Sequence, residues 1–561
     1  MYIYKGIPGS PGIEKGKVIY WKKDITEKKA VIGIDEAVNK SIEHVDALYK
    51  KALNELGDKH AKIFEAYKML LEDDMLLLPI KQMAQSGTDL IKAVTDVTET
   101  MSARLASKDN EYMRQRADDI RYIGQILVSS LCGESDSITD EINLSIEKVI
   151  VAARELTPVD TMKFDTSKLA GLVTEKGGAA SHTVILAKSL GIPAIVGTGS
   201  LDKCNTQKYG FINGYTGEFV YDADSDTEIK YNKLAQDEAA FKQKLAELST
   251  YDAKTKDGRR IKVAINIGKP EDLKDTEQVK FDGVGLFRTE FLYSSCTQKP
   301  NIDEQIKAYK QVADKIYPNP VTVRTLDVGG DKTLEYLNMK HEENPFLGNR
   351  GIRLCLANKE IFIEQAEAVL TAFANKSVNI MIPLVTSISE IDKTREIFEQ
   401  AKNNLKSRGA DYCTNYKLGI MIETPAAAVM ADVFAKHCDF FSIGTNDLVQ
   451  YVMAADRGNP DVKDVYNPYH PAPLKLIALV INAAHKAGIE VSVCGDLAAN
   501  TDFTEVLIGM GLEKFSVPYP AVNRIKHRIS LTDSIKAANK AKKVLCAEND
   551  DEIKKIMEVN E

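Results

Sequence analysis

Residues 261–518 repeat one unit, an apolar strand-like run followed by a helical pattern, and this repeat restricts the fold more than any other feature of the chain. The eight runs read IKVAINIG, GVGLFRTE, VTVRTLDVGG, VNIMIPLV, KLGIMIETP, CDFFSIGTND, EVSVCGD and EKFSVP. Buried strands that alternate with helices favour a parallel sheet closed into a (β/α)8 barrel. We therefore predict such a barrel over residues 261–561.

The pattern is different before the barrel. Residues 34–131 contain few glycines and prolines and carry apolar residues every three or four positions, which predicts four amphipathic helices in a bundle. From about 147, short β-branched runs ended by turn residues predict a mixed α/β domain, and the polar residues 227–260 predict a connecting helix. We expect a multidomain α/β protein with an α/β domain at 1–24 plus 146–230, an inserted helical bundle at 25–145, a linker helix at 231–260 and the barrel.

The composition limits the classes of protein that the chain can belong to. Its formal net charge is -8 and its basic residues are scattered, which argues against a nucleic-acid partner. No run of about 18 apolar residues and no export signal occurs, so we expect neither membrane insertion nor secretion. The eight cysteines lie far apart without a CxxC pair, which indicates neither a zinc site nor a disulfide framework. A reducing cytoplasm fits best.

Charged residues and one thiol stand where the predicted barrel strands end, which is the end that carries the active site in this fold. Guanidinium groups match phosphate and carboxylate oxygens, and carboxylates suit Mg²⁺. The joint placement predicts a site for a small, multiply charged anion held with a divalent metal. The strand-end residues are Arg288, Arg324, Glu423, Asn446, Asp447 and Cys494, and Lys332, Arg350 and Arg457 lie in the segments that follow strands.

Each of these residues, taken alone, also has a purely structural interpretation. Glu423 and Asp447 stand at the beginnings of helical patterns and could serve there as capping residues. A single arginine is more often part of a surface ion pair, and Cys494 could be a small buried apolar residue. The prediction of a site therefore depends on all of them falling at strand ends.

A histidine at the start of a helical pattern is a second candidate. In GGAASHT, residues 177–183, two glycines precede His182 and the apolar run VILAKSLG follows it. Exposed N–H groups and the positive end of a helix dipole would favour an anion at this place. A neutral imidazole is a competent nucleophile near pH 7 and can carry a phosphoryl group. The alternative is a capping or packing histidine beside a tight turn.

The order and spacing of these motifs resemble one family almost from end to end. The segments GGAASHTVILAKSLGIPAIVG, GVGLFRTEFL, VRTLDVGGDK, EENPFLGNRGIR, GIMIETPAAA, DFFSIGTNDLVQY, DRGNP and VCGDLA are together similar to Enzyme I of the phosphoenolpyruvate-dependent sugar phosphotransferase system. Members of this family phosphorylate their own histidine from phosphoenolpyruvate with Mg²⁺ and pass the phosphoryl group to a histidine of the carrier protein HPr.

The resemblance implies a role for each part of the chain. The α/β domain would carry phosphohistidine His182 and swing between the barrel and the carrier, the bundle would dock HPr, and the barrel would bind phosphoenolpyruvate and form a homodimer. Cys494 would protonate the enolate carbon. Glu423 and Asp447 match the metal ligands, and Arg288, Arg324, Lys332, Arg350, Asn446, Asp447 and Arg457 match the substrate-binding residues.

The chain departs from the family pattern at four places. Ala179 and Ala180 stand where a basic or other residue and then a threonine usually precede Ser-His. Lys188 replaces a frequent arginine and keeps the charge but not the planar fork. Asp496 stands where glutamate is common. These changes put the efficiency of transfer in question, but none of them removes a residue with a named chemical role.

Two other functions stay open from the sequence. A phosphoenolpyruvate synthase or pyruvate phosphate dikinase shares the phosphohistidine and barrel domains, but it needs a nucleotide-binding domain, and the region before His182 has no glycine-rich phosphate loop. A non-catalytic regulatory relative would dock a carrier without transferring phosphate. Ala179 and Ala180 motivate that second reading, and the complete set of strand-end residues argues against it.

Overall fold

The computed structural model forms two compact units, Met1–Phe241 and Lys242–Glu561. It describes residues 1–21, 29–55, 58–106, 111–132, 137–156, 160, 164–178, 181–204, 208–274, 276–294, 299–330, 334–337 and 341–558.

The first unit contains a mixed sheet with the strand order β1-β8-β7-β3-β4-β5-β6-β2. Strands β3 to β6 are parallel, and the remaining pairs are antiparallel. Successive residues of β4 face opposite sides, so Val149 and Val151 belong to one apolar cluster and Ile150 and Ala152 to another. Both faces of the central strands are therefore buried. The strands are β1 (Tyr2–Lys5), β2 (Ile7–Ser10), β3 (Ile13–Trp21), β4 (Val149–Ala153), β5 (Leu169–Thr174), β6 (Ala194–Val196), β7 (Tyr209–Asn213) and β8 (Glu218–Tyr221).

The two edge strands of this sheet follow each other directly in the chain. Only Gly6 separates β1 from β2, and its N–H donates to the carbonyl oxygen of Gly217 at 2.9 Å. A Cβ at position 6 would lie 2.7 Å from Ile195 Cγ2 and 2.7 Å from the oxygen of Val196. The chain passes so close to β6 that only glycine fits at this point.

Helices form the rest of the first unit. They are Ile34–Glu55, Asp58–Leu71, Asp74–Gln85, Leu90–Ala106, Glu111–Cys132, Ser137–Asn143 and His182–Leu190, with Ser225–Leu248 containing the residues at which the two units divide. The helix Asp74–Gln85 is not among the four that the sequence predicts for the bundle. The consecutive apolar residues in MLLLP obscure the spacing of three or four residues that indicates a helix. Its Leu76 and Ile80 are buried, Pro79 lies in its interior, and Asp73 caps its N-terminus by accepting a hydrogen bond from Met75 N.

The second unit contains the predicted (β/α)8 barrel, and the prediction of the fold class is confirmed. The closed barrel has the order β9 to β16 with every neighbouring pair parallel. Its strands are β9 (Lys262–Ile267), β10 (Val284–Phe287), β11 (Val321–Arg324), β12 (Val378–Ile382), β13 (Tyr416–Ile422), β14 (Phe440–Gly444), β15 (Glu490–Cys494) and β16 (Lys514–Pro518). Its helices are Glu290–Ser294, Ile302–Ile316, Ile352–Ala357, Lys359–Ala372, Ile388–Ser407, Pro425–Val429, Ala431–Phe434, Thr445–Met453, Pro471–Ala487, Asp496–Ala499, Thr501–Gly509, Val522–Leu531, Ser534–Cys546 and Asp550–Glu558.

Alternation along the barrel strands separates two apolar layers. Leu286, Met381, Met421, Phe440 and Cys494 form a small cluster of their own, whereas their neighbours along the strands belong to the large core between strands and helices. We infer that the small cluster fills the barrel interior, as in other barrels of this class. Among the helices that the structure describes, none combines the length and the apolar character needed to cross a membrane.

A carboxylate at the N-terminal end of the barrel holds two lysines. Glu490 Oε2 accepts a hydrogen bond from Lys262 Nζ, and Glu490 Oε1 accepts one from Lys514 Nζ, both at 2.6 Å. The Lys514 side chain is only 7% exposed. Burial opposes ionisation of Glu490, but the charges of Lys514 and Lys262 prevail and lower its pKa to about 2.

We expect Glu490→Gln to lower the free energy of unfolding at pH 7, because the buried ammonium of Lys514 would lose its carboxylate. A carboxyl group whose pKa is lowered by folding contributes stability above its ordinary pKa of 4.5, and this contribution is lost as the pH falls towards the folded value of about 2. The difference between Glu490→Gln and the unchanged protein should therefore shrink below pH 4.5. Urea unfolding between pH 7 and pH 3 measures it. Glu277→Gln is the control: it removes an ion pair between Lys315 and Glu277, whose side chain is 80% exposed, and it should have little effect on the free energy of unfolding at any pH. A constant difference for Glu490→Gln across this range would contradict the assignment.

Candidate active site

Six of the predicted site residues, Arg288 and Asn446 among them, lie at the C-terminal ends of barrel strands, and four of these six are buried. Arg324 ends β11 and Cys494 ends β15, Glu423 directly follows β13, and Asp447 lies in the first turn of the helix that follows β14. Because β13, β14 and β15 are neighbours in the barrel, the last three residues approach one another at one end of it.

Two arginines and three carboxylates form a chain of alternating charge at this end. Arg324 Nη2 donates to Glu290 Oε1 at 2.6 Å, and Arg324 Nη1 lies 3.0 Å from Asp327 Oδ2. Arg350 Nη2 lies 3.3 Å from both oxygens of Asp327, and its Nη1 lies 3.3 Å from Asp447 Oδ1. Each of the five side chains is at most 10% exposed. Asp327 thus connects the two guanidinium groups and fixes their separation.

Each arginine has one donor without an acceptor in the described part of the chain. Arg324 Nε and Arg350 Nε are buried, and no acceptor for either is found among the described residues. Burial lowers the pKa of both guanidinium groups, but the surrounding carboxylates outweigh this effect and raise both pKa values above the ordinary one. The largest of these contributions come from Glu290 and Asp327 at Arg324. At Arg350 they come from Asp327 and Asp447. Buried N–H groups without an acceptor are rare, and an oxygen-rich anion is the kind of ligand that would satisfy them.

Glu423 is held by a strained piece of backbone. Its Oε1 accepts a hydrogen bond from Leu384 N at 2.6 Å, and Leu384 has a φ of 56°, a left-handed conformation that leucine rarely adopts. Burial, followed by the charges of Asp447 and Asp327, raises the pKa of Glu423, and the two arginines only partly oppose this effect. Glu423, Asp447 and Asp327 therefore lie close enough at this end of the barrel to repel one another when ionised.

The Cys494 thiol lies in the barrel interior beside these charges. Its Sγ accepts a hydrogen bond from Ser442 Oγ at 3.4 Å and lies 3.4 Å from the carbonyl oxygen of Ile443. Burial raises the pKa of the thiol, the hydrogen bond from Ser442 opposes this, and the charge of Glu423 adds to the increase. A thiol with a raised pKa stays protonated near neutral pH and can donate a proton.

The other predicted residues are more exposed or lie outside the described part of the chain. Arg288 and Arg457 have exposed side chains, and the Asn446 side-chain oxygen accepts a hydrogen bond from Asp496 N at 2.8 Å. Lys332 lies outside the described residues.

The site also contains residues that the sequence analysis did not single out. Glu290 and Asp327 pair with the arginines, and the Tyr451 hydroxyl lies 3.2 Å from Arg350 Nη1. Both carboxylates stand within two or three residues of a predicted arginine, in the segments FRTE and RTLD. An acidic residue so close to a strand-end arginine could have indicated that the two side chains form an ion pair in the site.

The candidate histidine stands at the start of a helix in the first unit. The helix His182–Leu190 follows Ser181, whose extended backbone marks the N-cap position and whose hydroxyl is buried without a partner among the described residues. Gly177 has a φ of 111°, a backbone conformation that favours glycine. Ala179 and Ala180 lie outside the described residues, as does the side chain of His182.

Comparison with known proteins places the chain in a family. Models of the PEP-utilising enzymes match residues 5–116 (N-terminal domain), 145–217 (mobile domain) and 242–534 (PEP-binding domain). Proteins named phosphoenolpyruvate-protein phosphotransferase are similar along their whole length: that of Bacillus subtilis (strain 168) is 38% identical over 98% of both chains, and that of Listeria monocytogenes 37% identical over 99% of this chain and 98% of the relative. The chain belongs to the phosphoenolpyruvate-protein phosphotransferase family. It is a phosphotransferase.

The candidate residues of this phosphotransferase fall into two of the matched domains. His182 lies within the mobile-domain match, and the strand-end residues lie within the PEP-binding match. Two of its departures from the family pattern are described: Lys188 is exposed in the last turn of its helix, and Asp496 contacts Asn446 through its backbone and not through its carboxylate. The shorter side chain at 496 therefore leaves this hydrogen bond unaffected.

Proposed function

We propose that this phosphotransferase is Enzyme I of the sugar phosphotransferase system. In this proposal it transfers a phosphoryl group from phosphoenolpyruvate to His182, releases pyruvate and phosphorylates a histidine of HPr. The observation that carries the proposal is the buried pair Arg324 and Arg350, held by carboxylates, each with a buried Nε that has no acceptor among the described residues, beside Glu423, Asp447 and the buried Cys494 thiol. Phosphoryl transfer depends mainly on positioning and charge stabilisation, which such a site supplies.

The cationic groups bind and orient the substrate in this proposal. Arg324 and Arg350 are pre-set by Glu290 and Asp327, so little ordering remains to be done when the anion arrives. The exposed Arg288 and Arg457, together with Asn446 and Lys332, complete the set that contacts phosphate and carboxylate oxygens. Because Arg324 and Arg350 are already held by carboxylates, they do not have to reorganise during the reaction, and their charges act fully on the transition state.

The acidic residues fit Mg²⁺. Glu423 and Asp447 stand at neighbouring strand ends, and the repulsion between them is the kind that a divalent cation relieves. Mg²⁺ in proteins is commonly bound by one or two carboxylates together with substrate phosphate oxygens, and Glu423 and Asp447 would supply the carboxylates here. When bound, Mg²⁺ would neutralise charge that develops on the phosphate oxygens.

Each bond change has a group to support it. A neutral imidazole nitrogen of His182 attacks phosphorus, the bond between phosphorus and the enol oxygen breaks, and its electron pair remains on the enolate. The Cys494 thiol then gives its proton to the methylene carbon, which produces pyruvate, and the thiolate regains a proton from solvent. Burial of the thiol supports this role because it raises the pKa and keeps the proton on sulfur until the enolate forms.

The wider biology in the proposal follows the family resemblance. The proposal includes the domain boundaries predicted from the sequence, a homodimer formed through the barrel and a location in the cytoplasm. The direct test is incubation with labelled phosphoenolpyruvate and Mg²⁺, with and without HPr. We expect acid-labile, base-stable label on the chain alone and its passage to added HPr. Absence of label on the chain would favour the non-catalytic alternative, and either that result or labelling without passage to HPr would refute the assignment as Enzyme I.

A docking surface for HPr is supported by apolar side chains on the bundle. Met69 and Met75 are 72% and 73% exposed, and Leu78 is 52% exposed, on two helices joined by a short turn. Flexible methionines at an exposed apolar patch are typical of protein-binding surfaces.

We expect the double variant Met69→Lys, Met75→Lys to phosphorylate HPr with a kcat/KM about 10- to 100-fold lower, because it places charge at a docking surface. Its own labelling by phosphoenolpyruvate should be unchanged. Ile229→Lys, at a side chain that is 68% exposed on a helix outside the bundle, is the matched control. If HPr phosphorylation falls equally in the control, or does not fall in the double variant, the docking surface lies elsewhere.

A further inference from the structure

A buried glutamine connects the segments that follow two neighbouring barrel strands. Gln365, on the helix Lys359–Ala372, is 1% exposed. Its Oε1 accepts a hydrogen bond from Leu326 N at 3.0 Å, and its Nε2 donates to Thr289 Oγ1 at 3.1 Å and to the Tyr309 hydroxyl at 3.2 Å. The side-chain oxygen of Gln365 is thus bound to the segment after β11, and its side-chain nitrogen is bound to the segment after β10.

The threonine completes the connection. Thr289, which is fully buried, donates from Oγ1 to the carbonyl oxygen of Arg324 at 3.0 Å. The result is a closed set of hydrogen bonds that runs from segment 288–290 to segment 324–327 twice, once directly and once through Gln365. These two segments carry Arg288, Glu290, Arg324 and Asp327.

We propose that Thr289 and Gln365 are positioning residues for the phosphoryl donor. This inference rests on the function proposed above. Neither side chain needs to touch the substrate: they fix the distance between the segments, and so they set where the guanidinium groups of Arg288 and Arg324 stand relative to each other. A displacement of about 1 Å in such groups is enough to cost a large part of the rate.

Another buried glutamine of the same unit shows what a structural role alone looks like. Gln305 is also 1% exposed and is also hydrogen-bonded, since its Oε1 accepts from the Tyr293 hydroxyl and its Nε2 donates to the oxygen of Pro300. Neither Tyr293 nor Pro300 lies in segment 288–290 or in segment 324–327. Gln305 is therefore a control that matches Gln365 in residue type, burial and unit.

The test uses two pairs of variants in the full-length protein. Thr289→Val keeps the shape of the side chain but removes the hydroxyl, whereas Thr289→Ser keeps the hydroxyl. Gln365→Leu removes the amide, and Gln305→Leu is its control. For each variant we would measure KM and kcat for phosphoenolpyruvate with Mg²⁺ and HPr, the calorimetric affinity for phosphoenolpyruvate, and the midpoint of thermal unfolding.

We expect Thr289→Val and Gln365→Leu to lower kcat/KM for phosphoenolpyruvate by about 10- to 100-fold, with weaker binding of phosphoenolpyruvate. Thr289→Ser should stay within about threefold of the unchanged protein. Gln305→Leu should lower the unfolding midpoint but leave kcat/KM within about threefold. The double variant Thr289→Val, Gln365→Leu should be no worse than about the poorer single variant, because both act through one set of hydrogen bonds.

Equal kcat/KM for Thr289→Val and Thr289→Ser would overturn the inference, as would an equal loss in Gln305→Leu and Gln365→Leu. If Gln365→Leu does not fold, the comparison of the two Thr289 variants decides the matter alone. An unchanged protein that takes no label from phosphoenolpyruvate would refute the proposed function and the inference together. An active unchanged protein with unaffected Thr289→Val would refute the inference only.

Discussion

His182→Ala is expected to take up no label from phosphoenolpyruvate while its barrel still binds that substrate. The reason is chemical: the variant lacks the nucleophile, and the strand-end residues of the barrel are untouched. The loss should be complete, because the alanine side chain has no nucleophilic atom that could take the phosphoryl group. Labelling with phosphoenolpyruvate and Mg²⁺, followed by acid and base treatment of the product, measures it, and calorimetry with phosphoenolpyruvate checks binding.

His437→Ala provides the control for a general effect of removing a histidine. His437 lies just before β14, at the N-terminal end of the barrel. It should be labelled like the unchanged protein. Label that persists in His182→Ala, at any other residue, would contradict the assignment of the phosphoryl carrier.

Cys494→Ala is expected to lose turnover and to keep binding. The arginines and Mg²⁺ would still hold the anion, so the affinity for phosphoenolpyruvate should be near normal. General acid catalysis commonly contributes about 10²–10⁴-fold, and release of pyruvate should fall by that order. Phosphorylation of His182 should survive in part, since the enolate can form before the proton arrives. Calorimetric affinity and steady-state release of pyruvate, measured on the same variant, separate the two effects.

Cys438→Ala is the matched control. Cys438 is also buried, and burial also raises the pKa of its thiol, but it precedes β14 at the opposite end of the barrel from Cys494. It should affect stability and leave turnover near normal. If the affinity of Cys494→Ala collapses while turnover at saturation does not, Cys494 serves in packing and the proton comes from another group.

The position of the strand-end residues could be predicted because it depends on local patterns. An apolar run followed by a helical period locates a barrel strand, and Arg324, Glu423 and Cys494 stand at or directly after the last residue of such runs. The topology of the fold then places all of them at one end. The sequence needed no knowledge of side-chain contacts for this step.

The contacts inside the site could not be predicted in the same way. Asp327 bridges Arg324, three residues before it, and Arg350, on a different segment, and nothing in the local sequence marks that second contact. The left-handed backbone conformation of Leu384 could not be predicted from its residue type, because leucine rarely adopts a positive φ. Gln365 lies on a helix whose period suggests an ordinary core residue, and only the fold shows which segments its amide connects.

The arrangement of β1 and β2 bears on how the first unit assembles during synthesis. Tyr2–Lys5 pairs with Glu218–Tyr221, so about 200 residues, the whole helical bundle among them, must be made before this edge of the sheet can form. At about 5–20 residues per second, the wait is on the order of 10–40 s. During that time β2 can reach its partner β6 before β1 can reach β8, because Ala194–Val196 leaves the ribosome earlier. The part of this unit that is translated first is thus among the last to find its place, and early folding of the nascent chain falls to the bundle.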